Sequence, residues 1–300
     1  MERPYILHIF TPTRQASPFD VNMALDAGYT AVVPYTDVML DQVASLTQDA
    51  IFSRGPKGVK RTGIFIGGRD IGLAADMLDA AKNAMVPPFE VSVFADPSGA
   101  FTTAAAMVAA VERQLRKVHQ SDFAGRQVLI LGGTGPVGTA AAVLAAAAGA
   151  KVRIASHTSL ERARMTAQVA NARYGVSTEA VGATSAAERA DLIAETEILL
   201  ATAKAGVQVA SKKELARAGK LLVAADVNAV PPAGIEGVGV MDDGAPLQAA
   251  SGKAVGIGAL AIGNIKYQVQ RGLFEEMLKG EKALYLDFRD AFAAARRYAA

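Results

Sequence analysis

The chain contains no cysteine. That absence excludes disulfides, thiolate metal sites and a cysteine nucleophile, and it fits a reducing compartment. Histidine is scarce too. The three present, His8, His119 and His157, lie far apart and outside any HExxH pattern, so no histidine-rich metal site is expected. No GxSxG elbow presents a hydrolase serine. Charge of one sign never accumulates: 31 basic and 29 acidic residues leave a net charge of +2. Without a basic block or tail, nucleic-acid binding has little support. The opening MERPYILHIF lacks the basic-then-apolar layout of a signal peptide. These absences point to a soluble cytoplasmic protein that uses neither a metal nor a Ser-His pair. Its 300 residues suffice for one large domain or two ordinary ones.

One stretch, VLILGGTGPVGTAAAVLAAAAGA (128–150), carries no charge at all. About 20 apolar residues can cross a bilayer, so length alone permits a membrane span. The cluster Gly132, Gly133, Gly135, Pro136 and Gly138 argues against one continuous helix and for a short strand, a tight turn and a helix start. Comparable apolar runs occur along the chain: 6–10, 31–35, 63–67, 91–95, 127–131, 151–155, 197–201 and 221–225. Their near-continuous apolar character predicts strands covered on both faces. Helix signals lie between them. Ser17-Pro18 places a cap before a first-turn proline. Thr158 with Glu161, Ser185 with Glu188 and Ser211 with Glu214 have capping-box spacing, and Gly219 is placed to close the helix that starts near Ser211.

This alternation predicts an α/β protein with mainly parallel sheets in two domains. The polar segment HQSDFAGRQ (119–127) is the best boundary. It gives a first domain over 1–120, ending in an Ala-rich helix at 100–119, and a second over 121–264. The Gly-rich stretch 251–266 leads into a helix through Met277, and the C-terminal helices, about 265–300, are candidates to return to the first domain.

Gly133-Thr134-Gly135-Pro136-Val137-Gly138 is GxGxxG. It follows a predicted strand, opens a predicted helix and precedes a second strand, which is the context a Rossmann-type dinucleotide site requires. The first glycine is assigned the tight turn, the second the close approach of a pyrophosphate, and the third helix–strand packing. The helix start favours the anion. An NAD-preferring site has Asp or Glu at the end of the next strand, about 20 residues on. Here that end reads Ala155-Ser156-His157-Thr158, with Arg162 a turn further on. No carboxylate is present to repel a 2′-phosphate, which favours NADP. No clear Arg or Lys pair is present either, which leaves NAD acceptable. His157 reads equally as a phosphate donor or as an exposed loop histidine. Ala203 and Lys204, after one strand, and Asn228, after another, stand where ribose or nicotinamide would lie, or belong to ordinary loops. In the first domain, Gly67-Gly68 is an anion site or a turn. Ser98, ahead of Thr102 and Thr103, is a helix cap or faces a substrate.

Taken together, SPFDVNMALDAGY (17–29), SLTQDAIFSRG (45–55), TGIFIGG (62–68), DPSGAFTTAAAMV (96–108), GGTGPVG (132–138), DVNAVPPAGI (226–235) and GIGALAIGNIKY (256–267) resemble the NAD(P)-dependent methylene-tetrahydromethanopterin dehydrogenases of methylotrophic bacteria. The likeness spans nearly the whole chain and is nearer the branch that accepts both nucleotides. It implies two α/β domains with a pterin held between them, a homo-oligomer, and oxidation of the methylene to the methenyl pterin by hydride transfer to NADP or NAD, in formaldehyde oxidation. It also implies that Phe19, Asp20, Gly67, Gly68 and Thr102 meet the pterin, and that Lys266 lies near the reacting atoms, positioning a pterin carbonyl. Read without the family, Asp20 is a first-turn acid of a helix and Lys266 a solvated lysine with a buried stem. Two rivals remain: another two-domain NADP enzyme, such as a methylene-tetrahydrofolate or shikimate-type dehydrogenase, and a non-catalytic NADP(H) sensor.

Overall fold

The computed structural model describes residues 3–300. The first elements are β1 (Ile6–Phe10), α1 (Pro18–Ala27), β2 (Ala31–Tyr35), α2 (Val43–Phe52), α3 (Gly55–Val59), β3 (Thr62–Ile66), α4 (Ile71–Asn83), β4 (Ser92–Ala95) and α5 (Ala100–His119). Next come β5 (Gln127–Leu131), α6 (Pro136–Ala147), β6 (Lys151–Ser156), α7 (Leu160–Tyr174), β7 (Thr178–Gly182), α8 (Ala186–Ala194), β8 (Ile198–Ala201) and α9 (Lys212–Leu215). The last are β9 (Val223–Asp226), β10 (Asp243–Pro246), β11 (Val255–Ile257), α10 (Ala259–Lys279), β12 (Tyr285–Leu286) and α11 (Phe288–Ala299). The chain divides into two compact units, one of Met1–Thr102 with Tyr267–Ala294, the other of Thr103–Lys266 with Ala295–Ala300.

The first unit holds a parallel sheet in the order β12-β4-β3-β1-β2. Strand β3 is buried at all five positions, and Phe65, Phe94 and Phe274 pack with ring centroids 5.4 Å apart. The expectation of strands covered on both faces fails at β2, the sheet edge, where Val33 is 39% exposed. The amide of Ala31 and the carbonyl of Tyr35 face β1, so Pro34 faces the open edge, where it offers no N–H to a stray strand.

The second unit holds a sheet in the order β10-β11-β9-β8-β5-β6-β7, parallel apart from β10 against β11. Counted from β5, its parallel part runs 3-2-1-4-5-6, the doubly wound dinucleotide-binding order. Leu129, Leu131, Leu199, Ala201 and Ala224 form its core with Ile193 and Leu215. The uncharged stretch 128–150 is therefore β5, a loop and α6.

Several local expectations change. The box proposed at Thr158 does not form: Ser159 is the N-cap of α7, its hydroxyl accepting from Arg162 N, and the third position is an arginine that returns no acceptor. The boxes at Ser185 and Ser211 form as expected. Gly219 does not close α9, which ends at Leu215 with Ala216 as its C-cap. The Gly-rich stretch 251–266 leads into a helix as expected: it contains β11, and α10 starts at Ala259 and runs past Met277 to Lys279. Between the two, Gly258 is packed so closely on Gly239 and Val240 that a Cβ would meet the Gly239 carbonyl oxygen at 2.0 Å.

Glu197 clamps the entry ends of β5 and β8. Its carboxylate accepts from Arg126 Nη1 at 2.6 Å and from Gln127 N at 2.9 Å. Burial pushes this carboxyl up, but the Gln127 amide and Arg126 guanidinium more than reverse the effect, leaving it below the usual glutamate range. A folded-state pKa below the unfolded one means the stabilisation is complete at neutral pH and disappears as pH falls through the lowered value. Glu197→Gln is expected to lose about 1 kcal/mol at pH 7. In melts of both proteins from pH 7 to 3, the gap closes on the acid side. A gap that widens in acid contradicts the assignment.

Candidate functional site

In open α/β sheets ligands bind beyond the carboxyl ends of the strands, where the strand order reverses. In the second unit that point lies between β5 and β8, and the glycine loop leaves β5 there. Each glycine has a distinct reason. Gly132 has φ +83°, and a Cβ on it would stand 2.6 Å from Ala203 N. On Gly133 a Cβ would meet Ile130 O at 2.9 Å, and on Gly138 it would meet Gly132 O, Gly133 Cα and Thr202 Oγ1, each at 2.7 Å. The left-handed turn thus falls to Gly132, not to Gly133 as the motif suggested. Gly135 differs from these: a Cβ there meets nothing nearer than 3.4 Å. It is also the N-cap of α6 and has no side-chain cap. Thr139 Oγ1 donates to Gly135 O at 2.9 Å and to Gly133 O at 3.1 Å, holding the turn from behind. Backbone with open space before it, at an uncapped helix start, fits a diphosphate. Thr134 and Val137 are half-buried beside it, and Pro136 is exposed as the first residue of α6.

At the end of β6, Ser156 is buried and its Oγ accepts from Thr158 N at 3.2 Å and Ser159 N at 3.4 Å. It shapes the turn that presents His157, Thr158 and Arg162, all exposed. Beyond β8, Ala203 is half-buried and Lys204 exposed. Beyond β9, Asn228 is buried, and its side-chain amide is engaged with the loop backbone on both sides.

In the first unit the order reverses between β1 and β3, so Thr11, Gly67 and Gly68 stand at its switch point. Gly68 has φ +112°, and Pro12 lies 3.1 Å from where its Cβ would be. Ser98 does not cap α5. It sits in the left-handed region at φ 53°, and its Oγ donates to Gly68 O at 2.7 Å, tying two switch-point loops together. The cap is Asp96, fully buried, whose carboxylate accepts from Phe101 N, Thr102 N and Thr102 Oγ1 at 2.9, 3.1 and 2.6 Å. The hydroxyl of Thr102 is thereby committed to the fold. Asp20, in the first turn of α1, is buried and accepts from Gln270 Nε2 at 2.8 Å, while neighbouring Phe19 is 44% exposed. Thr103 and Lys266 belong to the second unit and are half-buried.

Gln270 and Thr11 were not anticipated, while Asp96 and Asp226, which open the segments 96–108 and 226–235, and Thr202, beside Ala203, were given no role of their own. Asp96 carried a signal, an aspartate four residues ahead of a predicted helix. Gln270 carried none, since it meets a residue 250 positions away. Among the described residues no group of three or more His, Asp or Glu is placed to hold a metal ion, and no helix is long and apolar enough to cross a membrane.

The family model described as the N-terminal part of methylene-tetrahydromethanopterin dehydrogenase matches residues 18–98. The chain is 50% identical over 290 residues to the NAD(P)-dependent methylenetetrahydromethanopterin dehydrogenase of Methylorubrum extorquens, covering 97% of each. It is 30% identical to the Bifunctional protein MdtA of the same organism, covering 98% of this chain and 99% of that one. Among solved structures, shikimate 5-dehydrogenase from Listeria monocytogenes matches with a TM-score of 0.51 at 13% identity over 94% of both chains, a likeness of fold.

Proposed function

The chain belongs to the methylenetetrahydromethanopterin dehydrogenase family, and from that premise we propose that it oxidises methylene-tetrahydromethanopterin to the methenyl form with NADP or NAD as acceptor. The near-full-length likeness supports the substrate. The open backbone at Gly135 supports the cofactor. The same reading places the protein in the cytoplasm, as a homo-oligomer, in formaldehyde oxidation.

The chemistry asks little of side chains. The hydride leaves a carbon flanked by two nitrogens, whose lone pairs stabilise the amidinium cation left behind. A bound nicotinamide supplies the hydride acceptor. No proton moves in that step, so the protein's contribution is alignment and exclusion of water, which suits a chain with three histidines and no cysteine. In this reading Gly133–Gly138 hold the diphosphate, and His157, Thr158 and Arg162 meet the 2′ position on the turn shaped by Ser156. Ala203 and Lys204 border the nicotinamide end. The exposed Phe19 ring offers the pterin an apolar face, and Asp20, fixed by Gln270, accepts from pterin N–H groups. Gly67 and Gly68 allow close backbone approach. Ser98 and Thr102 act by holding their loops, and Thr103 lies beside them. An ammonium beside a forming cation is unfavourable, so Lys266 donates to a pterin carbonyl and does not assist the departing hydride.

Purified protein with methylene-tetrahydromethanopterin and either nucleotide is expected to form reduced nucleotide and the methenyl chromophore together. Turnover of the folate analogue alone would favour the folate-type rival. Nucleotide binding with no turnover of either pterin would leave the sensor. His157→Asp sets a carboxylate at the end of β6 and is expected to lower the NADP-to-NAD ratio of kcat/KM by about tenfold. An unchanged ratio would remove the 2′ group from that turn.

A further inference from the structure

Asp226 ends β9 with 2% of its surface exposed. Its Oδ1 accepts from Asn228 N and its Oδ2 from Ile235 N, both at 2.9 Å. Gly234 crosses so close that a Cβ would stand 2.7 Å from Oδ1. One carboxylate thus fixes both ends of the loop 227–234. Asn228 fixes its middle: Oδ1 accepts from Val230 N at 2.9 Å, and Nδ2 donates to Pro232 O at 2.8 Å. The same Oδ1 accepts from Gly206 N at 3.1 Å, joining this loop to the one after β8. That second loop is pressed in turn against the glycine turn through Gly132 and Ala203, and Thr202 Oγ1 donates to Leu131 O at 3.2 Å. The two loop tips carry Val207, 44% exposed, and Val230, 52% exposed, with the Cβ position of Gly206 4.0 Å from Val230 Cγ1.

We infer that Asp226 and Asn228 are positioning residues which hold the Val207 and Val230 loop tips as one apolar platform for the nicotinamide half of the cofactor, without touching the cofactor themselves. Asn228 thereby passes from a direct ligand to the clamp between two loops. The inference rests on the proposed function only in requiring that this unit bind NAD(P).

The test is Asn228→Ala in the full chain, titrated with NADPH and with 2′-phospho-ADP-ribose, which lacks the nicotinamide. The truncated ligand is expected to bind within about twofold of wild type, and NADPH about tenfold more weakly, with a smaller change in dihydronicotinamide fluorescence on binding. Asn228→Asp keeps both acceptor bonds but sets a carboxylate oxygen against Pro232 O in place of the donor. It is expected to weaken NADPH at least as much as the alanine variant does and to spare the truncated ligand likewise, and it carries the comparison if the alanine variant does not fold. NADPH bound as tightly as by wild type, or both ligands weakened equally, overturns the inference. If the wild-type protein binds both ligands and turns over no pterin, the dehydrogenase reading fails while this comparison still decides the platform.

Discussion

Gly135→Ala is expected to fold as wild type does and to lose its dinucleotide, by at least about 100-fold in affinity. A methyl at this position meets no protein atom nearer than 3.4 Å, yet it stands in the space before the uncapped start of α6. Gly138→Ala gives the contrast. Its methyl would lie 2.7 Å from Gly132 O and Gly133 Cα, backbone that cannot swing aside as a side chain can. That variant is expected to lose binding and about 1–3 kcal/mol of stability together. Calorimetric titration with NADPH, paired with thermal melts, separates the two. A Gly135→Ala protein that binds NADPH with native affinity would mean the diphosphate does not rest on this loop.

Asp96→Ala is expected to have the largest effect on stability in the first unit. The carboxylate is wholly buried and satisfies two amides and one hydroxyl at the start of α5, a 20-residue helix. Removing it strands the two amides out of water and leaves the Thr102 hydroxyl only its longer bond to Gly99 O at 3.3 Å, at about 3–5 kcal/mol in all, which lowers the melting temperature by roughly 10 °C. Asp96→Asn keeps an acceptor for the two amides and is expected to cost about half as much. Ser98→Ala, which loses only the tie to Gly68 O, should leave the melt nearly unchanged and raise KM for the pterin. A melt of Asp96→Ala within about 2 °C of wild type would show that the helix start finds other partners.

What the sequence disclosed follows from how local each signal is. The strand–glycine–helix unit at 127–147 is legible because turn, anion site and helix packing are written within one short segment. The boxes at Ser185 and Ser211 are legible for the same reason, with donor and acceptor three residues apart. Strands β7 and β10 escaped because TEAVG and DGAP lack an apolar run, both lying at sheet edges where one side faces water. Strand β11 escaped because it is only three residues long with Gly256 at its centre, too short to show an apolar run. Partnerships such as Asp20 with Gln270 are set by the tertiary fold, and nothing near Asp20 announces them. The reversal of roles between Ser98 and Asp96 shows the limit of cap rules, since both are good cap residues and only the backbone decides which one turns its oxygen to the helix.

The central claim is that hydride passes directly from the methylene carbon to the nicotinamide with no proton exchanged. It is tested most directly with methylene-tetrahydromethanopterin carrying deuterium at the methylene carbon, incubated with the enzyme and NADP or NAD in ordinary water. Mass analysis should show one deuterium on each reduced nucleotide formed from dideuterated substrate, the other remaining on the methenyl carbon, with a normal primary isotope effect on the chemical step. Reduced nucleotide carrying solvent hydrogen would contradict the account, because it would require an exchanging acid or base on the protein.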